Sequence, residues 1–399
     1  MNKIGKILLA LLILLIPIQF GLHLWPNFAF IKGVRVDYLS PTIYATDILL
    51  MLLVLFRIGK IKINPSFVGG FVVFSIINIY YSINRDISFL KLLKIGELYL
   101  LFEAIRSFTK TELNKLIYKP LLFSIILFSL IGLFQVIEGQ TLGGLFYYLG
   151  ERTFSKFSPG IATVVLSGDT LLRAYSTFSH PNSFAGYILV SIFILRHLSR
   201  KIDRKSTAYV IGRNLSMFTL VLTFSLGAYV SMAVSYLLTK VAKTFKSPMV
   251  ILVLLFLLSY FLMLLADTNV GLSIGESIDQ RLELTKESVN IFVENPFTGV
   301  GANNFIVAMS DLNPGRYFWL LQPVHNIYLL ILSETGLIGL VMSFILLLII
   351  LNKSHRHKYL NYAMFTILIT GLFDHYSLTL QQNLLINTLL IGLIFKENI

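Results

Sequence analysis

The chain has 399 residues, 56% of them hydrophobic and 13% charged, and a mean hydropathy of +0.77; this is too apolar for a soluble domain and fits a polytopic membrane protein. The net charge of +13 is scattered between apolar runs rather than gathered on one element, which argues against nucleic acid as a partner. With no cysteine, disulfides, thiol nucleophiles and thiolate metal sites are excluded.

A membrane-crossing helix needs about 20 mostly apolar residues, and five stretches fit before the first polar loop: 7–25, 41–56, 66–83, 89–108 and 119–138. The first follows Lys3 and Lys6 like a signal peptide, yet no small-residue cleavage site follows it, so it is read as an uncleaved span. After that loop come 183–198, 209–225, 228–239 and 248–266, then a second polar loop, then 324–351, 359–375 and 382–395. The expectation is a single membrane domain over residues 1–399, all-α and polytopic, with about twelve transmembrane helices. With both ends cytoplasmic, two thirds of the Lys and Arg fall on the inner side and most acids on the other, as the positive-inside rule requires. That count leaves two long loops, 139–182 and 267–323, on the external face.

The first loop ends in Leu172-Arg-Ala-Tyr-Ser-Thr-Phe-Ser-His-Pro-Asn182, which puts Arg173 and His180 just outside a span opened by Pro181 and Asn182. Arg173 could simply snorkel to a headgroup, and His180 could be an ordinary interfacial histidine. The second loop carries a capping-box pattern and then apolar Leu282, Thr285, Val289, Phe292 and Val293 at helical spacing, closed by Glu294-Asn-Pro296. This predicts an external amphipathic helix with Arg281 in its first turn. A cation there opposes the helix dipole unless an anion binds beside it, or it pairs with Asp279 or Glu283 on a solvated face. In Phe297-Thr-Gly-Val-Gly-Ala-Asn-Asn-Phe305, Gly299 and Gly301 permit a tight turn or close approach; without a strand before and a helix after, they are no dinucleotide fingerprint.

The stretch Gln322-Pro-Val-His-Asn-Ile-Tyr-Leu-Leu-Ile-Leu-Ser-Glu-Thr-Gly-Leu-Ile-Gly339 opens the tenth expected span. It places the titratable His325, beside Asn326, where water or headgroups meet a membrane helix. Glu334, Gly336 and Gly339 follow, the glycines at a spacing that lets another helix approach closely. Glu334 lies roughly 13 Å along the axis from His325, too far to orient it, and reads as a packing or tethering residue. Other acids in apolar runs, Asp374 beside His375 among them, read as structural pairs.

Arg173 before Ser-Thr-Phe-x-x-Pro-Asn-x-Phe-Ala, a Ser-x-Gly-Ala hairpin, Arg281 before Glu-Asn-Pro-Phe-Thr-Gly-Val-Gly-x-x-Asn-Phe, and His325-Asn-x-Tyr-Leu with Glu334 and two glycines together resemble the O-antigen ligase and O-antigen polymerase superfamily of the bacterial envelope. The resemblance implies a GT-C-like, metal-independent, lipid-dependent glycosyltransferase without a cofactor, active on the external face of the bacterial cytoplasmic membrane. It implies an undecaprenyl diphosphate-linked glycan as donor, a glycan, lipid or protein hydroxyl as acceptor, and the lipid bilayer as surroundings. Arg173, Arg281 and His325 match the family's essential arginines and histidine, and Asn326, Asn182, Gly299, Gly301 and Asn304 are its candidate substrate-binding positions here. One departure is Ser225-Leu226-Gly227, where the family usually has Ser-Arg-Gly.

The chemistry agrees with the resemblance. Arginine binds phosphate oxygens bidentately without a metal, so two arginines could stabilise the charge developing on a departing diphosphate. His325, with an ordinary pKa near 6.5, could take or orient the acceptor hydroxyl proton. Neither long loop has a metal-ligand spacing, so no divalent cation is expected. A transporter or flippase is the alternative, since buried acids and an even number of spans suit one; against it, the charged motifs gather on one face and no paired broken helices mark two halves.

Overall fold

The computed structural model describes residues 2–203, 206–245, 276–312 and 321–398. Helices dominate: α1 (Asn2–Leu14), α2 (Ala45–Arg57), α3 (Pro65–Tyr81), α4 (Arg85–Arg106), α5 (Lys110–Glu138), α6 (Pro181–Ile202), α7 (Thr207–Leu222), α8 (Leu226–Phe245), α9 (Glu276–Glu294), α10 (Phe305–Leu312), α11 (Ile327–Ser354), α12 (Lys358–Thr370), the single turn α13 (Tyr376–Thr379) and α14 (Gln381–Glu397). Three small antiparallel ribbons lie in the connections: β1 (Gly21–His23) with β4 (Thr42–Tyr44), β2 (Phe30–Ile31) with β3 (Val34–Arg35), and β5 (Thr163–Leu166) with β6 (Asp169–Leu172).

Eleven of the twelve expected spans overlap helices, the first only in part, and the remaining one, 248–266, lies outside the described residues. Two of these helices, α5 and α11, are long and apolar enough to cross a membrane. The first expected span is cut short: α1 stops at Leu14, ahead of Pro17, whose missing N–H and effect on the preceding residue disfavour continuation. The Pro17 carbonyl is instead taken by the Thr177 hydroxyl at 2.7 Å, tying the first connection to the segment that leads into α6. The α12 stretch likewise ends at Thr370, and 371–375 form a turn.

The centre of the bundle is α6, packed against α5, α12 and α14; α12 also lies on α8, and α14 on α4. Its Phe184, Tyr187, Ile188 and Ile194 are among the buried side chains of the main core.

The chain's basic helix ends collect at one end of this bundle. Lys6 pairs with Glu112 at 2.6 Å, Lys110 and Lys201 both reach Glu397, and the Lys396 ammonium donates to the Arg106 carbonyl. The connections 15–44 and 139–180, with α9 and α10, lie at the other end, where Asn84 and Asn304 exchange hydrogen bonds.

One helix is broken on purpose. Within α11, Gly336 has φ +61, and the backbone freed there pairs with the segment after α9. Val300 N donates to Ser333 O and Gly301 N to Glu334 O, while Leu337 N and Ile338 N donate to Pro296 O and Phe297 O. Gly299, at φ +65, lies directly on the Glu334–Thr335 peptide. The close approach expected from the glycines is therefore made by the irregular turn segment after α9 and not by a second helix. Irregular backbone inside an apolar helix is tolerated because protein groups satisfy it.

Candidate active site

Arg173 follows β6 and is fixed from both sides. Ala174 N donates to Leu222 O at the end of α7, and the guanidinium Nε donates to Thr223 O at 2.6 Å. Its Nη2 donates to Asn182 Oδ1 at 2.8 Å, and the same amide's Nδ2 donates to Asp374 Oδ2 at 3.0 Å. Between a cation and a carboxylate only one amide orientation satisfies both, so Asn182 is locked. Burial lowers the Arg173 pKa from the ordinary guanidinium value, and Arg281 adds to the effect; the group stays cationic because arginine starts so high.

Arg281 comes from α9 and donates through Nη1 to Phe373 O at 3.2 Å. It lines, with Arg173, Asn182, Asp374 and the Phe224–Ala228 turn, a cavity of about 180 Å³. Two guanidinium groups facing one carboxylate leave the cavity with an excess of positive charge, the electrostatics of an anion site. Leu226, at the family's usual arginine position, stands on its rim and is 74% exposed.

The helix that presents Arg281 is turned relative to the sequence-based face. Its buried positions are Leu284, Glu287, Ser288 and Ile291, while Val293 is exposed. The spacing is helical in both cases, but α9 packs on α11, and the Ser288 hydroxyl donates to Leu329 O at 3.2 Å. The buried face combines apolar Leu284 and Ile291 with polar Glu287 and Ser288, which apolar counting passes over.

His325 precedes α11 and sits against the 371–375 turn. Ile327 N donates to Gly371 O at 2.8 Å and Asn326 Nδ2 to Leu372 O, while Asn326 Oδ1 accepts from the Tyr328 and Leu329 amides as a helix cap. The His325 and His375 rings lie 5.2 Å apart. His325 Nδ1 is buried without a hydrogen-bond partner among the described residues. His180 caps α6, its Nδ1 accepting from Asn182 N at 3.1 Å. Burial pushes its pKa from 6.5 down to about 4, opposed by Asp374 and reinforced by Arg173, Arg281 and His375.

The structure thus joins Arg173, Asn182, Arg281 and His325 around Asp374, with His180 and His375 beside them. Asp374 and His375 are the site members that the sequence reading treated as structural; the signal was an Asp-His pair at the end of an apolar run. Gly299, Gly301 and Asn304 lie elsewhere. A Cβ on Gly301 would meet Ser82 at 2.2 Å, and the fully buried Asn304 amide is spent on Asn84, Ser88 and Ala302.

At the opposite end of the bundle, His197, His357 and Glu397 bring ligand atoms within 4.8 Å of one another. Lys110 and Lys201 already hold that carboxylate, so a cation would have to displace two ammonium groups.

Fold and site define a helical protein with, among the described residues, two helices long and apolar enough to cross a membrane and a basic, histidine-flanked cavity at one end. Residues 214–344 match the sequence profile of the O-antigen ligase family, which supports placing the chain in the O-antigen ligase and polymerase superfamily. That family comprises membrane proteins that join glycans. The matched segment contains Arg281 and His325, whereas Arg173, Asn182 and Asp374 lie outside it. No curated protein matches the chain.

Proposed function

We propose that this protein is a membrane glycosyltransferase that moves a glycan from an undecaprenyl diphosphate-linked donor to an acceptor hydroxyl on the external face of the bacterial cytoplasmic membrane. One observation carries the reading: Arg173 and Arg281, from different parts of the chain, share one cavity closed by Asp374. The diphosphate seats between the two guanidinium groups. As the bond between the sugar anomeric carbon and the phosphate oxygen breaks, the charge gathering on the leaving diphosphate meets donors already in place, so no reorganisation is needed at the moment of reaction. The acceptor oxygen bonds to that carbon and its proton passes to His325, which is neutral because burial pushes its pKa down from the 6.5 expected from the sequence to about 3, so it accepts the proton only as the acceptor bond forms. Asn182 positions Arg173 against Asp374 and keeps that carboxylate from neutralising the guanidinium directly.

The test is transfer by purified protein in lipid nanodiscs with a synthetic undecaprenyl diphosphate-linked glycan. Arg173→Ala and Arg281→Ala should each remove roughly 3 kcal/mol of transition-state stabilisation, a rate loss of two orders of magnitude or more. Wild-type rates in both variants sink the clamp. His325→Gln with full activity and an unchanged pH profile removes proton transfer and leaves only hydrogen bonding to that residue.

A further inference from the structure

A proton left on His325 has to depart before the ring can serve as a base again. His325 is a poor place to keep it, with Nδ1 buried without a hydrogen-bond partner among the described residues and Arg281 repelling any added positive charge. Asp374 is a poor outlet. Its Oδ1 accepts from His375 N at 2.8 Å and its Oδ2 from Asn182 Nδ2 at 3.0 Å, so both oxygens already serve as fixed acceptors.

His375 is better placed. Its ring centroid lies 5.2 Å from that of His325 with the planes at 68°, a spacing that one direct hop or one bridging water spans. On its other side the Thr379 hydroxyl donates to the His375 carbonyl at 3.1 Å and meets the His375 Nδ1 at 2.8 Å. A hydroxyl has one proton. With that proton on the carbonyl, the ring nitrogen is the donor to Thr379, which leaves the ring's lone pair on Nε2. The half-buried His375 and Thr379 both line a second, much larger cavity of about 1160 Å³ between α2, α4 and the 23–44 connection, whereas Asp374 lines the arginine cavity. The charges acting on His375 are Asp374 in its own turn, Lys91 from α4 and Arg281 from α9. Two cations against one anion keep a proton from settling there.

We infer that His375 is a proton carrier that takes the acceptor's proton from His325 and releases it into the groove between α2 and α4. This rests on the reading that His325 receives that proton. The acceptor O–H bond breaks toward His325, and the His325 imidazolium passes its proton to Nε2 of His375. The His375 imidazolium then gives one proton to water in the groove, so both rings end neutral. His375 acts through His325 rather than on either substrate.

The experiment follows transfer by the full-length protein in nanodiscs with the synthetic lipid-linked donor, with and without added imidazole. His375→Gln and His375→Asn keep an amide that can donate to Thr379 but cannot pass a proton on. Each should lower kcat about tenfold or more and leave the KM for the donor unchanged. Free imidazole, small enough to enter the groove, should bring the rate of either variant back toward wild type, and wild type should not respond to it. A wild-type kcat in both variants overturns the relay. So does a loss that imidazole leaves unchanged in both, which would give His375 a structural role. The underlying reading fails by other patterns. His325→Gln at full rate with an unchanged pH profile removes the source of the proton, and the relay with it. Wild-type rates in Arg173→Ala and Arg281→Ala beside an imidazole-restored His375→Gln remove the clamp and leave the relay standing.

Discussion

At the scale of residues, the site turns on an amide. Asn182 accepts from Arg173 and donates to Asp374, so Asn182→Asp places two carboxylates face to face without a proton between them and ties the Arg173 charge to the protein. Transfer should fall by about tenfold or more while expression and insertion hold, as assayed with the lipid-linked donor; the loss of a charged hydrogen bond is of that size. On the proposal that Arg173 and Arg281 act on one leaving group, the double Ala variant should be little slower than either single. Multiplied losses in the double variant would mean that they serve different steps. Both arginines could be read in the sequence because a cation at a membrane boundary is conspicuous, and His325 because a titratable ring opens a long apolar run. Asp374 could not, since an acid in an apolar run is as often a structural pair, and only the fold sets it between Asn182 and the histidines. His180 gives the pH dependence its sign. Its folded pKa, about 4, lies below its ordinary 6.5, so the unfolded chain binds the extra proton first. Its contribution to stability is intact above 6.5 and is lost as the pH falls toward 4. Thermal unfolding should show a decline across that window that His180→Asn, which keeps a capping acceptor, reduces. An identical decline in that variant would assign it to other groups.

The break in α11 belongs to the scale of elements. A Cβ at Gly336 would sit 2.3 Å from the Phe297 carbonyl carbon at a φ of +61, so both strain and overlap oppose any other residue. Gly336→Ala should destabilise the protein by about 2 kcal/mol or more, visible as a lower unfolding temperature in detergent, and should slow transfer by moving α9 and with it Arg281. A variant as stable as wild type would mean that the pairing of 296–301 with 333–338 is dispensable. The sequence showed that glycines here allow a close approach, and it showed α9 with its bounds within a residue or two. It did not show what approaches, because two glycines at helical spacing look alike whether a helix or an irregular turn segment covers them. Nor did apolar periodicity find the buried face of α9, where Glu287 and Ser288 turn inward.

Charge organises the whole molecule, and it was legible at the outset because lysine and arginine positions need no fold to be counted. The structure brings the basic ends of α1, α5, α6 and α14 to one end of the bundle, joined through Glu112 and Glu397, and sets the cavity lined by Arg173 and Arg281 at the other. The positive-inside rule would put the first end in the cytoplasm and the cavity outside. The native chain has no cysteine, so single cysteines report sidedness without a background. Ser158→Cys, in the connection before β5, should react with a membrane-impermeant maleimide in intact cells. Ser206→Cys, ahead of α7, and His355→Cys, exposed after α11, should react only after the membrane is opened. Each site lies outside the helices or at an end, so a failure to label intact cells reflects sidedness once labelling in opened cells is seen. Should Ser206→Cys label in intact cells while Ser158→Cys does not, the bundle is inverted and the cavity formed by Arg173, Asn182 and Arg281 would face the cytoplasm, where a donor presented on the outer leaflet could not reach it.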